Sequence, residues 1–343
     1  MKRSLVAMTA VLALAGSNFS VQAQQSVEAF YKGKTIEVLI GYSAGGGYDT
    51  FARLVGRFIG KHIPGNPTVV PRNMPGGGGR VVSGYVYRIA PKDGTVLATA
   101  DQSLTLQQAL GDKTIQFDNN KLNWIGNPAD DNNTLVTTAA SNIKTVEDAT
   151  KQEVALAATG ANTTSEQYPK VMNAMVGTKF KIVNGYPGGN DATLAMERNE
   201  VAGRGSNSWA TWKFTRPDWI AQKKINILVQ IGLKKAPDLQ DVPLLIDLAK
   251  NDQDRAALRL LSAPVAIGRP LFTTPDVPAE RVKALREAFD ATMKDPEFLA
   301  AANQEHLEIN PVSGEELQKI VADIVSTPKE VIERLVSIVG NGA

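Results

Sequence analysis

The 343-residue chain carries 37 Lys and Arg against 35 Asp and Glu, with 2 His and no Cys. Balanced charge argues against nucleic acid or an anionic membrane as partner. The absence of cysteine excludes disulfides, thiol catalysis and cysteine metal sites, and the length suits roughly two domains of about 150 residues each.

The chain starts with Lys2 and Arg3, an apolar run over 5–16, and the small-residue pattern Val21-Gln22-Ala23. These read as a secretory signal peptide over 1–23, because the run is shorter than the roughly 20 residues a membrane span needs. No later segment is apolar enough to span a bilayer. Thr35–Ile40 is β-branched and apolar, which predicts a strand covered on both faces. The corner 41–47 holds four glycines in seven residues and cannot continue it. Phe51, Leu54, Val55, Phe58 and Ile59 then recur on one helical face. Asp49 stands where an N-cap or first-turn acid belongs. A strand that ends in free backbone donors at a helix N-terminus is a site for an anion.

A second strand is expected over 67–70. It is followed by the glycine corner 72–80, a helix bearing Val82, Tyr85, Val86 and Ile89, and a strand over 95–100. Strand–helix alternation predicts a parallel α/β sheet with ligands beyond the carboxyl ends of its strands. The middle section starts near 124–128 and repeats the design. It has strands over 134–138 and 154–158, a corner over 159–165, a strand at Phe180–Val183 and a corner over 186–191. A helix over 192–198 and strands at 201–205 and Ile225–Ile231 follow. Turn residues dominate 233–251, one more strand is expected over 264–269, and helices are expected over 279–293, Gly314–Val325 and 328–339. These three helices are expected to pack back on the first unit. The resulting division is lobe 1 over 24–124 plus 233–343 and lobe 2 over 125–232.

Gly41-Tyr42-Ser43-Ala44-Gly45 also fits the G-x-S-x-G nucleophile elbow, in a strand-to-helix context. A triad needs a histidine. His62 lies about 19 residues on, more than about 20 Å away along a helix, which leaves His306 beside Glu305 and Glu308. No HGGG-type oxyanion segment precedes the elbow, so a secreted serine hydrolase is the alternative rather than the main reading. Thr50 stands where a dinucleotide fingerprint needs its third glycine, and neither corner supplies Gly-Lys-Ser/Thr. Metal binding has no His pair, and Asp130 and Asp131 read as a solvated loop. Arg80 and Arg204 are either partners of a ligand carboxylate or surface cations. Trp209 and Trp212 are either pocket wall or core.

The run through Gly45-Gly46-Gly47-Tyr48-Asp49 to Arg53 resembles the opening of the substrate-binding proteins of tripartite tricarboxylate transporters. In that family the corner reads P-G-G-x-x-D, and here the proline and the spacing of the glycines differ. Arg72 to Gly79 is similar to the family's N-x-P-G-A-G-G, and Ala90-Pro91-Lys92-Asp93-Gly94-Thr95 to its A-P-D-G-Y-T, with Lys92 inserted. Ala158-Thr159-Gly160 and Tyr186-Pro187-Gly188-Gly189 fall where the family has its second-lobe turns.

The resemblance implies a type II, Venus-flytrap periplasmic binding protein of α/β class, each lobe a mostly parallel sheet flanked by helices. It implies a periplasmic receptor and no enzyme, a monomer that needs no cofactor. The ligand would be a small organic di- or tricarboxylate, with an aromatic acid left open by Tyr186, Trp209 and Trp212, and a membrane permease would receive it. Ser43, Ala44, Gly45, Gly46, Gly47 and Asp49 would form one side of the cleft, with Gly76, Gly77, Gly78 and Gly79 beside them. Thr159, Gly160, Ala161, Asn162 and Thr163, with Gly188, Gly189, Asn190 and Asp191, would form the other, and Ser206 and Asn207 would add to it. Uncharged donors rather than arginine pairs are expected to hold the ligand, with hinges near 124–128 and 231–233.

Overall fold

The computed structural model describes residues 26–339, so the leader expected over 1–23 lies outside the described residues. The strands are β1 (Thr35–Ile40), β2 (Thr68–Asn73), β3 (Val96–Thr99), β4 (Asn123–Asn127), β5 (Asn133–Thr138), β6 (Val154–Ala157), β7 (Phe180–Val183), β8 (Gly203–Ser208), β9 (Ile225–Ile231), β10 (Leu271–Thr273) and β11 (Val312–Ser313). They form two sheets, ordered β11-β4-β10-β3-β1-β2 and β7-β6-β8-β5-β9. Leaving out the edge strand β11, the two orders are the same: second, first, third, a strand arriving from the other lobe, fourth. The repeat expected from the glycine corners is therefore one of topology.

Four strands of each sheet run the same way, as expected of a mostly parallel sheet, and the others make both sheets mixed. β1 runs parallel to β2 and β3, and β6 parallel to β7 and β8. β10 is antiparallel to both its neighbours, and so is β5. The cause is the crossing. A strand that enters from the other lobe starts at the cleft and runs away from it, against strands whose carboxyl ends point at the cleft.

Each sheet is covered by amphipathic helices. Phe51, Leu54, Val55 and Ile59 of helix Gly47–Ile59 are buried with Ile36, Val38 and Ile40 of β1. Burying each such side chain contributes about 1.5–3 kcal/mol. Helices Ala279–Thr292 and Gly314–Val325 pack on β4. No helix among the described residues is long and apolar enough to cross a membrane.

The return path differs from the expected one. The backbone of Gln230 bonds Pro243 at 2.9 Å, and Gln230 bridges Leu244, so the chain after 233 stays at the edge of the second sheet. Helix Asp252–Ser262 packs on the 3-10 turn Leu245–Leu248 that follows. It also packs on helix Lys329–Val339, which reaches helix Thr164–Val176 of the second lobe. The chain re-enters the first sheet only at β10. The strand expected over 264–269 is a 3-10 turn, Ala263–Ala266, leading to Gly268 with φ +61°. Of the three C-terminal helices expected to pack on the first lobe, the last packs on the second.

Candidate functional site

Between the lobes lies a cavity of ≈ 50 Å³. Its first-lobe wall comes from the corner after β1 (Tyr42, Gly46, Gly47, Tyr48), from Asp101 and Gln102 after β3, and from Gly268 and Arg269 on the return path. Its second-lobe wall comes from Thr159, Thr164 and Ser165 after β6, from Gly189 after β7, and from Arg204, Ser206, Asn207 and Ser208 of β8. Asp131 and Asn133 close it where the chain first crosses.

Three helices begin at this cavity: Gly47–Ile59, Thr164–Val176 and Gly189–Glu197. None has a side-chain bond at its N-cap. Helix N-termini carry unsatisfied N–H groups and a positive dipole end, so three converging on one space favour negative charge there.

The side chains add to that field. Arg204 and Arg269 are each only 7% exposed, and neither forms an ion pair among the described residues. Arg204 donates through Nη1 to the Gly189 carbonyl at 3.1 Å and lies over the Trp212 ring at 6.0 Å. Burial, with repulsion from Arg269 behind it, holds its pKa down at about 10 against the usual 12.5. Arg269 lies over Phe51 at 4.7 Å and reaches across the cleft to Thr211 Oγ1 at 2.5 Å. Its pKa too is lowered by burial. Three buried donors at the cavity lack an acceptor: Arg204 Nε, Gln102 Nε2 and Asn207 Nδ2. A buried donor without a partner is costly, and an acceptor-rich ligand supplies what is missing.

The carboxylates of the lining are already engaged. Tyr42 stacks on Tyr48 (centroids 4.7 Å apart) and donates to Asp101 Oδ2 at 2.6 Å, while Ser103 N donates to Oδ1 at 2.9 Å. Asp131 accepts from Ser208 Oγ at 2.5 Å and from Ala210 N at 2.7 Å, and burial raises its pKa. It is part of the wall, which corrects the solvated-loop reading.

Of the residues expected from sequence, Gly46, Gly47, Thr159, Gly189, Ser206 and Asn207 line the cavity. Others meet one another at the lip, where the lobes touch directly. Ser43 Oγ donates to Asp191 Oδ2 at 2.5 Å, and Ser43 N to the Pro187 carbonyl at 3.3 Å. The Asn162 carbonyl accepts from Gln107 Nε2 at 2.6 Å, and Asn162 Nδ2 donates to Asp112 at 2.9 Å. Gly45 faces Asn190, Gly188 faces Ser43, Gly78 faces Thr163, and Gly160 faces Gly77 and Gly78. Ala44 and Ala161 are exposed, while Gly76 and Gly79 shape the second corner with positive φ. Asp49 braces the first corner, accepting from Gly45 N at 3.0 Å, Asn73 Nδ2 at 2.8 Å and Arg53 Nε at 2.8 Å.

Sequence reasoning missed Tyr42, Tyr48, Asp101, Gln102, Asp131 and Arg269. For Arg269 a signal existed, since it is a lone cation in the run Val265-Ala266-Ile267-Gly268-Arg269-Pro270-Leu271-Phe272. Arg80 bonds Gln107 at 2.6 Å and pairs with Asp112 at 3.4 Å outside the cavity. Trp209 and Trp212 belong to the second-lobe core; Trp209 Nε1 donates to Asp238 at 2.7 Å and Trp212 stacks on Trp219. Ser43 has no histidine partner. His62 contacts Asp295 at 2.8 Å, and His306 follows helix Pro296–Gln304, which packs on helix Gly47–Ile59. The elbow therefore lacks its base.

The model of the tripartite tricarboxylate transporter family receptor matches residues 52–336. Among solved structures the chain is similar to the periplasmic binding protein BugD, at 20% identity over 90% of this chain and 99% of that one, with a TM-score of 0.71. It is also similar to MatC from Rhodopseudomonas palustris with bound malate (17%, 87% and 99%, TM-score 0.68). A third match is an R. palustris protein with adipate (16%, 88% and 97%, TM-score 0.67). At such identities these likenesses speak to the fold, a two-lobed α/β periplasmic binding protein. A search of the curated proteins finds no match.

Proposed function

The chain belongs to the tripartite tricarboxylate transporter receptor family, and on that premise we propose that it captures a small organic carboxylate between its lobes and delivers it to a membrane permease of the tripartite type. The observation that carries the carboxylate is the set of buried donors without acceptors, Arg204 Nε, Gln102 Nε2 and Asn207 Nδ2, at a cavity where three helices begin. The malate and adipate bound to similar folds support the same ligand class. The leader read over 1–23 and the family together support a periplasmic location.

In this reading the lobes close about the crossings near 127–132 and 266–270, where Asn127 Oδ1 accepts from both Ala129 N and Arg269 N at 3.0 and 3.1 Å. The ligand stabilises the closed form because it touches both walls only there. Gly46, Gly47, Thr159, Gly189, Ser206 and Asn207 contact it, and Ser43, Asn162 and Asp191 latch the lip. Thermal unfolding against mono-, di- and tricarboxylates tests the proposal. A ligand at 100 times its dissociation constant stabilises by about 2.7 kcal/mol, and a panel in which no carboxylate raises the melting temperature overturns it.

A further inference from the structure

The family resemblance leads to uncharged recognition, yet this cavity holds one buried cation on each wall. Arg204 projects from β8 of the second lobe, and Arg269 from the return path into β10 of the first. We propose that Arg204 and Arg269 form a clamp that selects a short dicarboxylate dianion, one acid group neutralising each guanidinium. This rests on the carboxylate-receptor reading and adds the charge and length of the ligand.

Four observations converge on the clamp. First, neither arginine has an ion-pair partner among the described residues, although both are buried. Second, neither acid of the lining forms an ion pair with them, although Asp131 lies near enough to Arg269 to favour its charge. Asp101 is held by Tyr42 and Ser103, and Asp131 by Ser208 and Ala210. Third, Arg204 Nε, Gln102 Nε2 and Asn207 Nδ2 have no acceptor, and all three residues line the cavity. All three are donors, which suits a ligand made of acceptors and leaves an ammonium group unserved. Fourth, Arg269 repels positive charge at Arg204 across the desolvated space at which both lie. That repulsion is relieved by a dianion and only half relieved by a monoanion. The length limit comes from the cavity of ≈ 50 Å³, against about 10–15 Å³ for a single water. That space amounts to about three to five waters, which favours the shortest diacids.

Isothermal titration of the wild-type protein and of Arg204→Met, Arg269→Met and Arg204→Lys tests the clamp. The probes are oxalate, malonate, succinate, adipate, the monoamide succinamate, sulfate and hydrogen phosphate. Wild type is expected to bind a diacid of two to four carbons at least about 100-fold more tightly than succinamate, since loss of one buried charge-assisted contact has effects of that size. Each Met variant is expected to lose that discrimination, and Arg204→Lys to retain part of it. Circular dichroism establishes that each variant is folded. Wild type binding succinate and succinamate alike, or Met variants that still discriminate, overturns the clamp and leaves the carboxylate receptor standing. Adipate as the tightest diacid overturns the length limit. Sulfate or phosphate binding above every carboxylate overturns the carboxylate reading itself, whereas a folded wild type that binds none of the probes overturns the clamp.

Discussion

Arg204→Met is expected to make the ligand-free protein more stable while weakening its response to a dianion. Burial and the nearby Arg269 lower the Arg204 pKa from 12.5 to about 10, which corresponds to about 3 kcal/mol against the charged form in the folded state. The guanidinium recovers only part of this. Its bond to the Gly189 carbonyl contributes about 1 kcal/mol, and its position over Trp212 about 0.5–1 kcal/mol. The carbonyl does not become an orphan, because Thr193 Oγ1 also donates to it at 3.0 Å. Methionine fills much of the volume, so the net gain is about 1–2 kcal/mol. For a base whose folded pKa is depressed, the penalty is present in full below about pH 10 and fades as pH climbs towards 12.5. The difference between variant and wild type is therefore constant near neutrality and shrinks above pH 10. Urea unfolding at pH 7.5, without ligand and with a saturating short diacid, measures both effects. A ligand-free variant less stable than wild type by 1 kcal/mol or more would refute the reasoning, because Arg204 would then be a structural residue.

Three further substitutions probe other parts of the cleft. A Cβ on Gly47 would lie 2.6 Å from Thr211 Oγ1 and 3.0 Å from Arg269 Nε. Gly47→Ala should therefore fold normally, at a helix start where alanine is tolerated, but resist closure by about 1–3 kcal/mol; solution scattering should show wild type contracting on ligand addition and the variant not. Ser43→Ala removes the lip bond to Asp191 and should weaken ligand binding about tenfold or less. Ester hydrolysis by wild type that vanishes in this variant would bring back the hydrolase. Asp131 has a raised pKa, so the folded state holds its proton in a window above 3.8, and its contribution to stability is lost as pH rises through that window. Asp131→Asn should flatten the decline and tighten anion binding, since a carboxylate near Arg269 is gone. Unfolding curves from pH 4 to 7 and titration with malonate check both.

The parts legible in the sequence are those with local causes. Thr35–Ile40, Phe180–Val183 and Ile225–Ile231 match their expected bounds because each is a short apolar run between turn signals. Helix Asp252–Ser262 escaped notice because its first turn, Asp252-Gln253-Asp254-Arg255, carries no apolar stripe. β10 was misplaced by several residues because Gly268-Arg269-Pro270 separates the apolar 264–267 from the three residues that pair. Reversal of β5 and β10 within their sheets is a property of the crossing, which no local pattern encodes. The site divides in the same way. Glycine corners announce helix starts, and Gly46, Gly47 and Gly189 of those corners line the cavity. The neighbours that complete the cavity come from elsewhere in the chain, as Arg269 does at Gly47, and no spacing joins them. β8 carries a signal of another kind, since Gly203-Arg204-Gly205-Ser206-Asn207-Ser208 is polar yet every residue in it is buried. A buried polar strand has to spend its donors on something.

A pair of buried arginines raises a question of release, since charge-assisted contacts hold an anion firmly. The placement of the two cations answers it. Arg204 is anchored in the second lobe at Gly189, and Arg269 in the first through Asn127 and Phe51. Only closure brings both to one ligand, and the bond from Arg269 to Thr211 forms across the same gap. When the lobes part, each guanidinium is rehydrated and the dianion keeps one contact instead of two. Affinity is thus a property of the closed state, and a partner that favours the open state lowers it without touching the cavity. Two arginines on one lobe would lack this switch; one on each lobe makes strong capture compatible with delivery.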